Sequence, residues 1–177
     1  MRWLACICAT LGLILALTAC SKPPVVTDGL TLGALFPEVD LITLEGEAVP
    51  WHHYQGKLVV LNIWATWCEP CRREMPNLQS LSDSLDSERF AVVGLAVEDD
   101  PHVVREFLID KGVSFTSYLD AGQKIATQTL GIALFPYTLL IAQDGTVIQR
   151  VPGPREWQLP EVKALLERAY EGDYSGL

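Results

Sequence analysis

The sequence predicts an α/β sandwich with parallel strands at its centre. Two observations carry this reading. Residues 58–64 (LVVLNIW) and 90–97 (FAVVGLAV) are short, nearly unbroken apolar runs, which suit strands buried on both faces. Stretches with helical spacing follow each run, and strands that alternate with helices pair in parallel through right-handed crossovers. A later pair of strands adds an antiparallel edge.

The chain has 177 residues, enough for one domain with a real core and few for two. Hydrophobic residues make up 49% and charged residues 20%, as in an ordinary globular protein. The formal charge is −9, which argues against nucleic acid or anionic lipid as a partner.

The first twenty residues differ from the rest. Arg2 gives a positive start, an apolar stretch follows, and Leu17-Thr18-Ala19-Cys20 closes it. The stretch is shorter than the roughly 20 apolar residues of a membrane span and reads as a secretory signal over residues 1–19. Its end resembles the bacterial lipobox, in which the cysteine is acylated and becomes the first mature residue. That makes Cys20 the site of a lipid anchor; a plain cleaved signal with a chance cysteine is the alternative. Residues 20–34, with Pro23, Pro24, Gly29 and Gly33, read as a flexible tether.

The domain follows over residues 35–170. Residues 39–50 form a small hairpin that turns at Glu45-Gly46-Glu47. After the strand 58–64 comes WCEPC, then a helix over 72–85 with Met75, Leu78, Leu81 and Leu85 on one face and Pro76 as a kink. The strand 90–97 leads to Asp100-Pro101, a cap followed by proline at the first helical position, and Gly112 stops that helix. A short strand at 115–119 and a helix over 121–130, ended by Gly131, come next. Strands 138–142 and 146–151 flank Gln143-Asp144-Gly145, a hairpin signal. An amphipathic helix over 157–170 closes the domain, and 171–177 reads as a frayed tail.

Of five cysteines, Cys6 and Cys8 leave with the signal and Cys20 carries lipid. Only Cys68 and Cys71 remain as thiols. A disulfide between them closes a loop of a few residues and removes little entropy from the unfolded chain, so a structural role is disfavoured. A structural zinc site needs four ligands; here there is one Cys pair, and His52, His53 and His102 lie far off in sequence. No metal is expected. At a strand-to-helix junction the helix N-terminus favours a thiolate on Cys68. Cys71, one turn on, can attack a mixed disulfide and release the product. Pro70 suits the first helical turn. Glu69 opposes the thiolate, with Arg72 and Arg73 either offsetting it or facing solvent.

Several stretches together resemble the thioredoxin superfamily, and within it the TlpA/ResA/CcmG group of membrane-anchored extracytoplasmic thiol–disulfide oxidoreductases. They are LNIWATWCEPC with Pro76 beyond it, FAVVGLAV followed by an acidic pair, and LGIALFPYTLLIAQDGTVIQRVPG. The resemblance implies a thioredoxin fold: a three-layer α/β/α sandwich with a mixed central sheet, an N-terminal β-hairpin and an inserted helix–strand segment. It makes Cys68 the nucleophile, Cys71 the resolving cysteine and Pro136 a cis-proline. Trp67, Glu69, Pro70, Phe135 and Pro136 would face the substrate, Phe135 offering its backbone to a peptide. No cofactor is implied beyond the Cys68–Cys71 pair. A peroxiredoxin would carry proline where Leu61 stands, and copper-delivering relatives carry Cys-x3-Cys, so both are disfavoured.

The chain departs from thioredoxins at Asn62, where they hold a buried Asp; an amide cannot serve as a base. ResA-like proteins share the Asn and use an acid after the next strand, which falls on Asp99, with Glu98 as its rival. Tyr137 replaces a frequent Thr near the substrate groove. By resemblance the protein is a reductant in the bacterial envelope. A membrane thiol-reductase would recharge it, and its clients would be protein disulfides such as apocytochrome c. The alternatives are a general oxidant or isomerase of envelope proteins, and a redox-inactive peptide-binding module. Ser21 favours the outer membrane, whereas a membrane-embedded donor favours the inner.

Overall fold

A computed structural model describes residues 30–177. The signal reading of residues 1–19, the acylation of Cys20 and most of the tether fall outside the described residues. Among the described residues, no helix is long and apolar enough to cross a membrane.

Seven strands form one sheet. In chain order they are β1 (Asp40–Thr43), β2 (Ala48–Pro50), β3 (Leu58–Trp64), β4 (Phe90–Ala96), β5 (Ser117–Leu119), β6 (Tyr137–Ile141) and β7 (Val147–Pro152). Their spatial order is β2-β1-β5-β4-β3-β6-β7. The β3–β4 and β4–β5 pairs are parallel and all the others antiparallel. The sheet is therefore parallel at its centre and closed on each side by a hairpin, as the apolar runs and the two turn signals imply.

Three helices, α1 (Glu69–Ser84), α2 (Pro101–Lys111) and α3 (Pro160–Tyr170), pack on one face. The pleat of β3 sorts the core. Leu58, Val60 and Trp64 meet Met75, Leu78 and Leu81 of α1, Val104 of α2 and Leu166 of α3. Val59, Leu61 and Ile63 point the other way, toward Trp51, Ile125 and Leu130. Side chains that alternate along a strand buried on both faces give the three-layer thioredoxin-like fold.

Four elements differ from the sequence reading by more than a residue, each for a local reason. α1 begins at Glu69, not 72, because Cys68 already serves as its cap. α3 begins at Pro160, not 157, and Trp157 turns into the core instead. β5 begins at Ser117, since the N–H groups of Ser114 and Phe115 both donate to Gln79 Oε1, at 2.7 and 3.1 Å. The expected helix over 121–130 is broken. A 3-10 turn (Ala121–Gln123) meets a π-helical turn (Lys124–Thr129) where Gly122 and Gln123 take φ of 69° and 55°. The Asp120 carboxylate accepts from the Ile125 and Ala126 N–H groups and so restarts the chain beyond the break. At the C-terminus, Leu177 folds back against the core near Val162.

Candidate active site

The two cysteines sit where β3 hands over to α1. Cys68 is the N-cap of α1, with extended backbone (φ −85°, ψ 104°). Its Sγ accepts the Cys71 N–H at 3.3 Å, satisfying one of the N–H groups that every helix start leaves open. Pro70 occupies the first turn, where its missing N–H costs nothing. Cys68 and Cys71 are joined in a disulfide. Cys68 is the outer of the two, yet only 6% exposed, and Cys71 is fully buried. Glu69 is exposed and pairs with Arg73 at 3.2 Å and Arg72 at 3.7 Å, so the two arginines do offset its charge.

The Phe135–Pro136 peptide bond is cis. Phe135 meets Trp67 edge-on, ring centroids 6.0 Å apart. Trp67 is 63% exposed and Leu134 is also exposed, which leaves an apolar surface beside the cysteines. Tyr137 does not open onto it: the ring is buried, and its hydroxyl accepts from Arg150 Nε at 2.9 Å.

Glu98 and Asp99 border a cleft of about 330 Å³ on the other side of Trp67. They are not equivalent. Glu98 Oε1 accepts the Thr66 backbone N–H at 2.8 Å and also the Thr66 hydroxyl, so it braces the loop that carries the cysteines. Asp99 Oδ1 accepts the Gly122 N–H at 2.9 Å and braces the turn opposite.

The structure adds a residue that sequence reasoning missed. Glu74 lies on α1 one turn past Cys71 and is 2% exposed. Its Oε1 accepts from Asn62 Nδ2 at 2.8 Å. Its Oε2 accepts the Arg155 backbone N–H at 3.1 Å and the Trp157 indole N–H at 3.2 Å. Burial raises its carboxyl above the ordinary glutamate range; the hydrogen bonds and the Arg155 charge only partly oppose that. The sequence held one signal: Glu74 falls on the apolar stripe of α1, between Cys71 and Leu78. Asn62, which cannot be a base, is thus tied directly to a group that can.

A helix-capping CxxC pair, a cis-proline whose neighbour Phe135 packs on Trp67, and a buried acid one turn on can exchange a disulfide and hold the proton involved. Several known proteins similar to this chain have that chemistry in their names. The Redoxin family model matches residues 31–166. Thiol-disulfide oxidoreductase ResA of Bacillus anthracis is 32% identical over 124 residues, 70% of this chain and 71% of that protein. The crystal structure of StoA from Bacillus subtilis superposes with a TM-score of 0.60 at 25% identity, covering 75% of this chain and 96% of that one. A thiol:disulfide interchange protein from Bacteroides sp. superposes with a TM-score of 0.69, covering 83% and 95%. At 19% identity that last likeness is one of fold. The chain belongs to the Redoxin family, among its ResA-like thiol–disulfide oxidoreductases.

Proposed function

We propose that this protein reduces disulfides in proteins outside the cytoplasm, with Cys68 as nucleophile and Cys71 as resolving cysteine. The observation that carries the reading is the Cys68 sulfur at the N-cap of α1, held by the Cys71 N–H, with the neighbouring Trp67 ring against Phe135 of the cis Phe135–Pro136 bond. In the reduced protein the Cys68 thiolate attacks one sulfur of a client disulfide. A bond forms between the two sulfurs, and the client's other sulfur leaves as a thiolate. Cys71 then attacks Cys68, closing the Cys68–Cys71 disulfide and freeing the client as a dithiol. Two electrons pass to the client. Glu74 takes the Cys71 proton, since burial favours its protonated form. Glu98, through Thr66, positions the cysteine loop.

The direction of flow is the one that the resemblance to ResA-like proteins implies: a reductant is a pair whose dithiol form is not strongly stabilised. Trp67, Pro70, Phe135 and Pro136 form the client-facing surface. The chain is anchored through lipid on Cys20, and a membrane thiol-reductase recharges it. Apocytochrome c before haem attachment is the client class that the resemblance to ResA proteins favours.

The test is capture. Cys71→Ser, once reduced, should accumulate a mixed disulfide between Cys68 and a disulfide-bonded client such as insulin, visible on non-reducing gels, while Cys68→Ser should accumulate none. Equal trapping by both variants would contradict the assignment of roles.

A further inference from the structure

All three hydrogen bonds to the buried Glu74 are donated to it. That set fits a carboxylate and does not fit a carboxylic acid. A backbone N–H and an indole N–H can only donate. Asn62 is the one partner that also carries an acceptor. Its Nδ2 uses both hydrogens, one on Glu74 Oε1 and one on Thr138 Oγ1 at 2.9 Å. Its Oδ1 is buried and has no partner. Thr138 is fully buried, and its hydroxyl can turn to accept or donate.

We propose that Asn62 is a positioning residue that lets Glu74 change protonation state inside the core, by turning its amide over in step with the Thr138 hydroxyl. With Glu74 ionised, Nδ2 faces Glu74 and Thr138, as observed. With a proton on Oε1, the amide oxygen takes that place and accepts from both the carboxyl and the hydroxyl. The amide keeps two hydrogen bonds in either state. The turn exchanges one unpartnered group for another: Oδ1 gains two donors, and the Nδ2 hydrogens take its present place in the core.

The other groups around Glu74 cannot take that part. Asn62 on β3 and Thr138 on β6 are neutral. Arg155 and Trp157, from the segment between β7 and α3, supply donors only. Arg73 and Glu156 stand at the rim of the cavity of about 660 Å³ that Glu74 borders. Cys71, one turn back on α1, is the remaining titratable neighbour once the disulfide opens. The inference rests on Glu74 accepting the Cys71 proton; one proton moves and no electron.

The test uses the full chain, reduced and labelled with 13C and 15N. The Glu74 carboxyl carbon and the Asn62 side-chain amide are followed by NMR as pH is lowered. The expected result is one shared midpoint, with the cross-peaks from the Asn62 amide hydrogens to the Thr138 methyl lost on the acid side. If Glu74 titrates while those cross-peaks persist, the amide does not turn and the inference fails, but Glu74 stands as acceptor. If Glu74 stays ionised while the Cys71 thiol titrates, both fail. Asn62→Leu, which removes the acceptor, should slow client release on the order of tenfold, and Asn62→Asp should restore it with a displaced pH profile. A folded Asn62→Leu protein with the wild-type pH profile would overturn the proposal.

Discussion

The backbone N–H of Cys71 points at the sulfur of Cys68 from 3.3 Å. On reduction that N–H and the open start of α1 remain to hold a negative charge on Cys68, while Cys71 stays in the core. The reduced protein should therefore react with iodoacetamide first at Cys68, faster than at Cys71 on the order of tenfold or more. Peptide mapping after brief alkylation reads the ratio. Modification of both at one rate would mean that the helix start does not separate the two thiols.

Glu74 should make stability fall as pH rises. Its carboxyl is raised above the ordinary value of 4.5 by burial. Below that value the group is protonated in both folded and unfolded chains, and no penalty applies. As pH rises, the unfolded chain ionises first, so folding loses ground until the folded-state value is passed; above it the loss is complete. Urea unfolding of wild type and Glu74→Gln across this range should show the difference opening with pH. Client release by Glu74→Gln should drop by roughly 10²-fold if the carboxyl handles the Cys71 proton. A flat stability difference would place the group's folded-state titration at its ordinary value.

Trp67→Ala should separate binding from folding. The ring is 63% exposed and touches Phe135 at its edge. An aromatic pair of this kind contributes about 0.5–1.5 kcal/mol beyond the area it buries, and the ring is mostly exposed, so the loss of stability should be small. The KM for a protein disulfide should rise several-fold while turnover of a small disulfide stays the same. Unchanged KM for a protein client would remove Trp67 from the client-facing surface.

Gly94 lies on β4 where a side chain has no room. A Cβ there would meet Ser117 Oγ at 2.6 Å and Trp64 Nε1 at 3.0 Å. Gly94→Ala should destabilise by about 1–3 kcal/mol through overpacking, read as a lowered Tm. A neutral result would mean that Trp64 and Ser117 move apart freely.

Much of this was legible in the sequence because it depends on local chemistry. The runs at β3 and β4 mark a sheet covered on both sides, Gln143-Asp144-Gly145 marks the β6–β7 turn, and Asp100, Pro101 and Gly112 bound α2. WCEPC and Phe135-Pro136 fixed where to look for the site. What stayed hidden depends on distant partners. Glu74 is held by Arg155 and Trp157, about eighty residues further along the chain, and no spacing rule within α1 shows them. The break at Gly122-Gln123 was hidden for a different reason: Gln123 adopts a left-handed backbone that its side chain does not advertise. Glu98 and Asp99 were found as a pair, and only their hydrogen bonds to Thr66 and Gly122 told them apart.

The reduction potential of the Cys68–Cys71 pair tests the central claim most directly. Equilibration of the full chain against dithiothreitol and glutathione buffers measures it. A reductant should fall near or below thioredoxin's value of about −270 mV. A value near DsbA's, about −120 mV, would make the protein an oxidant and would contradict the proposed direction of electron flow.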